Sequence, residues 1–414
     1  MTSSDEAADR TWSPQQLRGA NERLLLDRLR AEGPASRAEL ARVTGLSKPT
    51  VSSALAALEA AGLVREAGTH TPERGRSAVL YAPDASAGYA LGIDIGRAWL
   101  RVALADLAGT VVARSEVRNP ARTSAAMAGL VVATARELIA GSGVPAAKVA
   151  QAAVGTPGVY DPATRRVRYA QHLPGWGRAG LFDRMTRDLG VPLAVHNDAN
   201  LAALGEYAFG AGAGSKLFVY IMIGTGLGMG VVAEGRLFTG AHGGAGEIGF
   251  LPWPGRHGPD TPGTDTQDPD PGTPDTLEDA VSGDAVVAAA RAHGMSGPLT
   301  AKGVFDAARA GDCAAVRAVE LEGRRLAHTV AAVAAVLDPD LVVLGGGVGH
   351  GADLLLRTVR ETLRTLTPLR PKVAPSALGE DAVLLGALAT ALETARELTF
   401  TRRSPAPAKA PPAD

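Results

Sequence analysis

The stretch from Tyr220 to Phe250, YIMIGTGLGMGVVAEGRLFTGAHGGAGEIGF, constrains the fold more than any other part of the chain. It opens as an apolar strand, breaks on Gly224-Thr225-Gly226 and returns as a second apolar strand from Met229 to Val232. Glu234-Gly235 supplies the next turn, and the segment closes on a glycine cluster around one acid, Glu247. Glycine at 224, 226, 228 and 230 lets backbone N–H groups approach an anion without interference from Cβ, which suits a phosphate cradle. The same alternation also describes a twisted hairpin with close backbone contacts, and the stretch alone leaves both readings open.

At 414 residues the chain is long enough for two or three domains, and its 46% apolar content supports sizeable cores. A formal net charge of -1 provides no global attraction to nucleic acid. The single cysteine, Cys313, excludes a disulfide framework and a cysteine zinc site within the chain. No apolar run reaches 18 residues free of glycine or charge, so no membrane span is expected. The opening MTSSDEAADR is polar and acidic, unlike a signal peptide, and a soluble cytoplasmic protein is expected.

Residues 15–84 read as a winged helix-turn-helix, preceded by a disordered segment over 1–14. Leu25, Leu26 and Leu29 mark one face of a helix from Gln15 to Ala31, which Gly33-Pro34 stops. Ser36 and Glu39 form a capping box that opens a second helix, Arg37 to Thr44. After Gly45, Ser47 caps a third helix with Pro49 in its first turn, running to about Ala60. Leu63 to Arg65 and Ala78 to Tyr81 then form a two-stranded wing. From Arg10 to Ala82 there are 11 Arg/Lys against 7 Asp/Glu, a local net of +4. Ser47, Lys48, Thr50, Ser52 and Ser53 lie on the outer face of the third helix, where small hydroxyls and a lysine suit phosphates and base edges in a major groove. Arg74 and Arg76 of the wing suit phosphates or the minor groove. A protein-contact hairpin is the other use of such helices, and the hydroxyl-rich face favours double-stranded DNA.

From Tyr89 the pattern becomes α/β. Ala90 to Ile95, a turn, and Trp99 to Ala105 are echoed by Leu217 to Ile223, a turn, and Met229 to Val232. The echo implies a two-lobed body over 89–400, with lobe one about 89–212 and lobe two about 213–398, and a cleft at the strand C-termini. Helices are expected from Ser282 to Ala292, Ala314 to Leu337 and Asp381 to Leu398, among others. Pro254 to Asp275 reads as a flexible low-complexity loop, and 401–414 as a disordered tail.

Several motifs occur together and in order: Asn197-Asp198-Ala199-Asn200 with Gly205-Glu206, Gly224-Thr225-Gly226-Leu227-Gly228, and Gly240 through Gly249. They resemble the repressor–ORF–kinase (ROK) family over roughly Gln15 to Leu398. That resemblance implies an actin-like sugar-kinase fold joined to a winged helix in its regulator branch. It implies that Asp198 would be the general base on a sugar hydroxyl in a kinase, although Asp198 also sits where a helix N-cap is expected. It further implies sugar contacts from Gly158, His172, Asn197, Asp198, Glu247 and Glu278. Nucleotide contacts, if any, would come from Asp94, Gly96, Gly224, Thr225, Gly226, Gly345 and Gly346, the last two in an adenosine-side loop.

The chain departs from that family pattern at defined positions. Asp-Ile-Gly-Gly-Thr of the kinases is Asp94-Ile95-Gly96-Arg97-Ala98 here, which impairs a close backbone cradle. The family's Pro-Asn is Gln171-His172, and its zinc-binding histidine is Phe250. No cysteine lies between Phe250 and Glu278, and His257 with scattered aspartates makes no tetrahedral site, so zinc is expected to be absent. The reading is a sugar- or phosphosugar-responsive DNA-binding repressor, acting as a homodimer or homotetramer. The alternative is an ATP- and magnesium-dependent hexose kinase with a DNA-binding head.

Overall fold

The computed structural model describes residues 13–71, 77–170, 175–253 and 274–403. The head consists of α1 (Pro14–Glu32), β1 (Ala35–Ser36), α2 (Arg37–Thr44), α3 (Lys48–Ala60), β2 (Val64–His70) and β3 (Ala78–Pro83). Its helix starts follow the expected chemistry. Ser36 and Glu39 close a reciprocal capping box, and the Ser47 side chain accepts from the Thr50 N–H. Gly45 ends α2 at φ 71, the left-handed region that glycine enters without strain. Leu25, Leu26, Leu29, Val51, Leu55 and Leu58 are buried, as their spacing predicts. The two-residue β1 pairs with β3, completing a sheet of order β1-β3-β2.

Lobe one contains β4 (Tyr89–Ile95), β5 (Trp99–Asp106), β6 (Val111–Arg118), α4 (Ser124–Gly141), β7 (Val149–Thr156), β8 (Val159–Asp161), β9 (Arg166–Arg168), α5 (Leu181–Leu189), β10 (Leu193–Asn197) and α6 (Asp198–Phe209). Lobe two contains β11 (Leu217–Ile223), β12 (Leu227–Ala233), β13 (Arg236–Leu237), α7 (Leu277–Val281), α8 (Gly283–Ala292), α9 (Ala301–Arg309) and α10 (Cys313–Leu337). It continues with β14 (Leu341–Gly345), α11 (Gly346–Gly349), α12 (Ala352–Leu366) and β15 (Lys372–Pro375), before the closing helix α13 (Ala382–Arg403).

The two sheets share one plan. Read from their meander edges, their orders are β6-β5-β4-β7-β10 and β13-β12-β11-β14-β15. Each is an antiparallel three-strand meander extended on its first strand by two parallel strands. Parallel strands need crossovers, so the helices between them cover the faces and both sheets become buried. α6 packs on β11 and β12, α13 packs on β4 and β7, and the two helices pack on each other. Alanine and glycine dominate that contact and let the backbones approach closely. A Cβ on Gly205 would overlap the Ala382 carbonyl, and one on Gly386 would overlap that of Leu201.

Several elements differ from the sequence expectation. The helix after β10 is capped by Asn197, not by Asp198, which is its first residue. α7 precedes the helix expected from Ser282, which itself begins at Gly283. β15 has no counterpart among the expected strands. α13 runs past Leu398 to Arg403, so Thr401 to Arg403, expected to begin a disordered tail, are helical. The rest of that tail, residues 1–12 and most of the Pro254–Asp275 loop lie outside the described residues. Among the described residues one helix, Ser124–Gly141, is long and apolar enough to cross a membrane. In this fold it is a core helix, burying Met127, Val131, Ala135 and Ile139 with Leu91, Ile93 and Val154.

Candidate functional site

A cleft of about 1500 Å³ lies between the lobes at the C-terminal ends of their strands. One wall is acidic. Asn197 and Asp198 stand where β10 turns into α6, Glu247 follows the glycine cluster, and Glu278 projects from α7. Asn197, rather than Asp198, is the N-cap, with its Oδ1 accepting from the Asn200 N–H at 3.0 Å. Its Nδ2 donates to the Gly158 carbonyl at 3.3 Å, which leaves one N–H for a ligand. Gly158 has φ 88, and a Cβ there would meet the Arg168 carbonyl at 2.5 Å, so only glycine brings this loop to the cleft. With capping assigned to Asn197, the Asp198 carboxylate is held by the Ala199 N–H at 2.9 Å. Burial pushes the Asp198 carboxyl above the usual carboxylate range, and that N–H only partly offsets it. Glu247 is raised as well, first by burial and then by the negative fields of Asp198 and Glu278. Glu278 accepts from the Leu227 N–H at 2.9 Å, so it braces the β11–β12 turn while facing the cleft. Clustered carboxylates of this kind accept hydrogen bonds from the neighbouring hydroxyls of a polyol.

The glycine turns adjoin this wall, with Glu278 against the β11–β12 turn. Gly224 is open, with nothing within 4 Å of a built Cβ, and Thr225 and Gly226 also line the cleft. Gly228 lines the cleft and also packs on α6, whereas Gly230 serves packing alone. Built Cβ atoms there would lie 3.1 Å from the Ala199 Cβ and 2.5 Å from the Ala199 carbonyl, so both face α6. The phosphate-cradle expectation for the four alternating glycines is therefore corrected at Gly230, which does not line the cleft. Gly96 lines the cleft beside Arg97, and the Arg97 Nη1 donates to the Thr225 Oγ1 at 3.3 Å, spanning from lobe one to lobe two.

Three residues expected on the nucleotide side do not line the cleft. Asp94 is buried, with the Arg101 guanidinium 3.4 Å away. Arg101 also bonds Glu116 at 2.9 Å and Glu380. Burial still pushes Asp94 up to about 7, against the pull of Arg101. Gly345 and Gly346 pack on β11. A Cβ at 345 would overlap the Tyr220 hydroxyl, and one at 346 would lie 2.5 Å from the Ile223 carbonyl. These surroundings do not fit a metal-bound nucleotide triphosphate. Arg97 crosses the gap, Asp94 is already paired, and the Tyr220 side chain lies under the adenosine-side loop.

Two kinds of cleft residue carry no signal in the sequence. Tyr169, at φ 63, and Phe250 meet edge-on at 5.6 Å at the cleft, both well exposed. From the sequence Phe250 reads only as a lost zinc ligand. Arg118, at the end of β6, and Arg122, on the β6–α4 loop, join Arg97 in a basic rim. Glu206, by contrast, is wholly buried and structural, accepting from the Ala211 and Leu378 N–H groups and from the Ser376 hydroxyl. Among the described residues no group of three or more His, Cys, Asp or Glu is disposed to hold a metal. His172, His257, Arg74 and Arg76 lie outside the described residues. On the head, Ser47, Lys48, Ser52 and Ser53 are exposed, while Thr50 is half-buried with its hydroxyl 2.8 Å from that of Ser47.

The ROK family model matches residues 90–394, most of the chain and all of the cleft. This chain belongs to the ROK family. A MarR family model matches residues 19–77 of the same ROK protein, the winged-helix head. The chain is 31% identical over 322 residues to a glucokinase of Halalkalibacterium halodurans, covering 72% of this chain and 92% of that one. It is 25% identical over 358 residues to the DNA-binding transcriptional dual regulator NagC of Escherichia coli, covering 85% of each. A solved ROK family transcriptional regulator, a homologue of the E. coli MLC protein, superposes with a TM-score of 0.72. That alignment covers 94% of this chain and 99% of the regulator at 22% identity, a likeness of fold.

Proposed function

We propose that this ROK protein is a sugar- or phosphosugar-responsive transcriptional regulator, a repressor, that binds double-stranded operator DNA through residues 15–84. The body over 89–400 is its sensor. One observation carries the reading. The carboxylate wall of Asp198, Glu247 and Glu278 is intact, while the turn beside it is spanned by the Arg97–Thr225 hydrogen bond. Such a cleft recognises hydroxyls without offering a cradle for nucleotide phosphates. The basic rim of Arg97, Arg118 and Arg122 supports an effector that carries an anionic group. Likeness to NagC supports the pairing of a sensor with a DNA-binding head. Two heads in a homo-oligomer would read two half-sites, and a ligand shifts operator affinity only by binding one arrangement of the lobes better than another.

The second reading is an ATP-dependent hexose kinase with a DNA-binding head, favoured by Asp198 and by likeness to the glucokinase. A thermal-shift series run beside a phosphorylation assay separates the two. The sensor reading predicts that a sugar or its phosphate raises Tm without ATP, and that Asp198→Asn weakens the shift. ATP-dependent phosphorylation of a hexose, abolished by Asp198→Asn, would establish the kinase instead.

A further inference from the structure

Helix α13 makes contact at both ends of the signal route. Its first half is locked to α6 by backbone-on-backbone contact at Gly205 and Gly386, where no side chain intervenes to absorb a shift. α6 begins in the cleft at Asp198. The last turns of α13 leave the body and enter the head. Phe400 joins the apolar cluster of Leu25, Leu26 and Leu29, and Arg23 lies 5.2 Å over its ring while pairing with Glu397. Arg403 ends the helix. Its Nη1 donates to the Ala61 and Gly62 carbonyls at 3.1 and 3.2 Å, and its Nη2 to the Ala87 carbonyl at 2.7 Å. Ala61 is the C-cap of α3, so the guanidinium sits at the negative end of the helix that carries Lys48 and Ser52. Ala87 lies in the short turn that joins head to body.

We propose that α6 and α13 form one rigid lever between the ligand cleft and α3, with Arg403 the positioning residue at its end. The inference rests on the sugar-responsive, DNA-binding reading and adds its route of transmission. A ligand that draws the N-terminus of α6 toward one lobe tilts α13, and Arg403 carries that tilt to the base of α3. Coupling of this kind is reciprocal, so loosening the head end must be felt at the cleft end.

Hydrogen–deuterium exchange on the full chain tests this without ligand or DNA, so its failure leaves the sensor reading standing. Arg403→Ala is expected to raise exchange about tenfold both around residues 58–64 and in α6, with α12 unchanged. Faster exchange confined to residues 58–64, or no change at either place, overturns the lever. If Arg403→Ala also loosens α12, Arg403→Lys carries the test on the same criterion. It keeps a charge at the end of α3 but cannot bridge three carbonyls.

Discussion

Lobe one and lobe two carry the same hairpin on the same sheet, and they close it differently. In lobe two, Ile223 pairs with Leu227 across the three residues Gly224-Thr225-Gly226, and the Gly224 N–H bonds the Gly226 carbonyl at 2.9 Å. In lobe one, Ile95 pairs with Leu100 across four residues, and the Gly96 N–H bonds the Trp99 carbonyl at 2.9 Å. The extra length lets Arg97 stand out and reach Thr225. Two positions before the turn glycine, lobe two has neutral Met222 and lobe one has Asp94, buried against Arg101. On the proposed reading, phosphate handling would belong to the turns and hydroxyl binding to the carboxylate wall from α6, the Glu247 loop and α7. One scaffold can therefore lose the first and keep the second.

The difference at Asp94 has the largest expected consequence. Its carboxyl titrates at about 7 in the fold against 3.8 unfolded, because it is buried. A raised carboxyl holds its proton more tightly when folded, so the stability it lends is complete below pH 3.8 and is lost as pH climbs through 7. Each pH step of one between those two values removes about 1.4 kcal/mol, so the natural chain loses a few kcal/mol across the window. Asp94→Asn removes the titrating group, and Arg101 keeps Glu116 and Glu380. The variant's Tm should be flatter between pH 4 and 7, and equal slopes in the two proteins would contradict the assignment.

Within lobe two, the glycines themselves divide. Gly230→Ala puts a methyl against the Ala199 carbonyl and is expected to cost about 1–3 kcal/mol in urea unfolding. Gly224→Ala meets no atom and should stay within about 0.5 kcal/mol of the natural chain. Equal costs would erase the division between packing and cleft glycines. An effect smaller than the Gly230→Ala cost comes from making lobe one look like a kinase. Arg97→Gly with Ala98→Thr frees Thr225, and millimolar ATP should then stabilise the protein by about 1 kcal/mol. Stabilisation of the natural chain by ATP would show that Arg97 does not bar the turn.

The head was legible because its signals are local. Caps at Ser36 and Ser47, the break at Gly45 and the leucine spacing each act within one helical turn. The repeated hairpins were legible through their apolar runs and glycine breaks. What the sequence hid depends on distant neighbours. Gly228 and Gly230 look like Gly224 until α6 lies across them. Asp94 reads as a ligand residue until Arg101 arrives from the next strand. β1 and β15 are too short for a period to show, and β15 starts on a lysine after Pro371. Tyr169 and Phe250 are 81 positions apart in the chain, so nothing local announces their contact. Asn197 and Asp198 are adjacent candidates for one cap, and the choice between them needed the Gly158 loop.

In a sensor of this design a sugar changes DNA binding without phosphoryl transfer. Fluorescence anisotropy with an operator fragment selected from the source genome tests that directly. Full-length protein is titrated into the fragment with glucose, xylose, N-acetylglucosamine or their phosphates, in the absence of ATP. At least one of them is expected to change operator affinity about tenfold, a coupling of the size common between linked sites. Operator affinity indifferent to every sugar, in a protein that phosphorylates a hexose from ATP and loses that activity in Asp198→Asn, would contradict it.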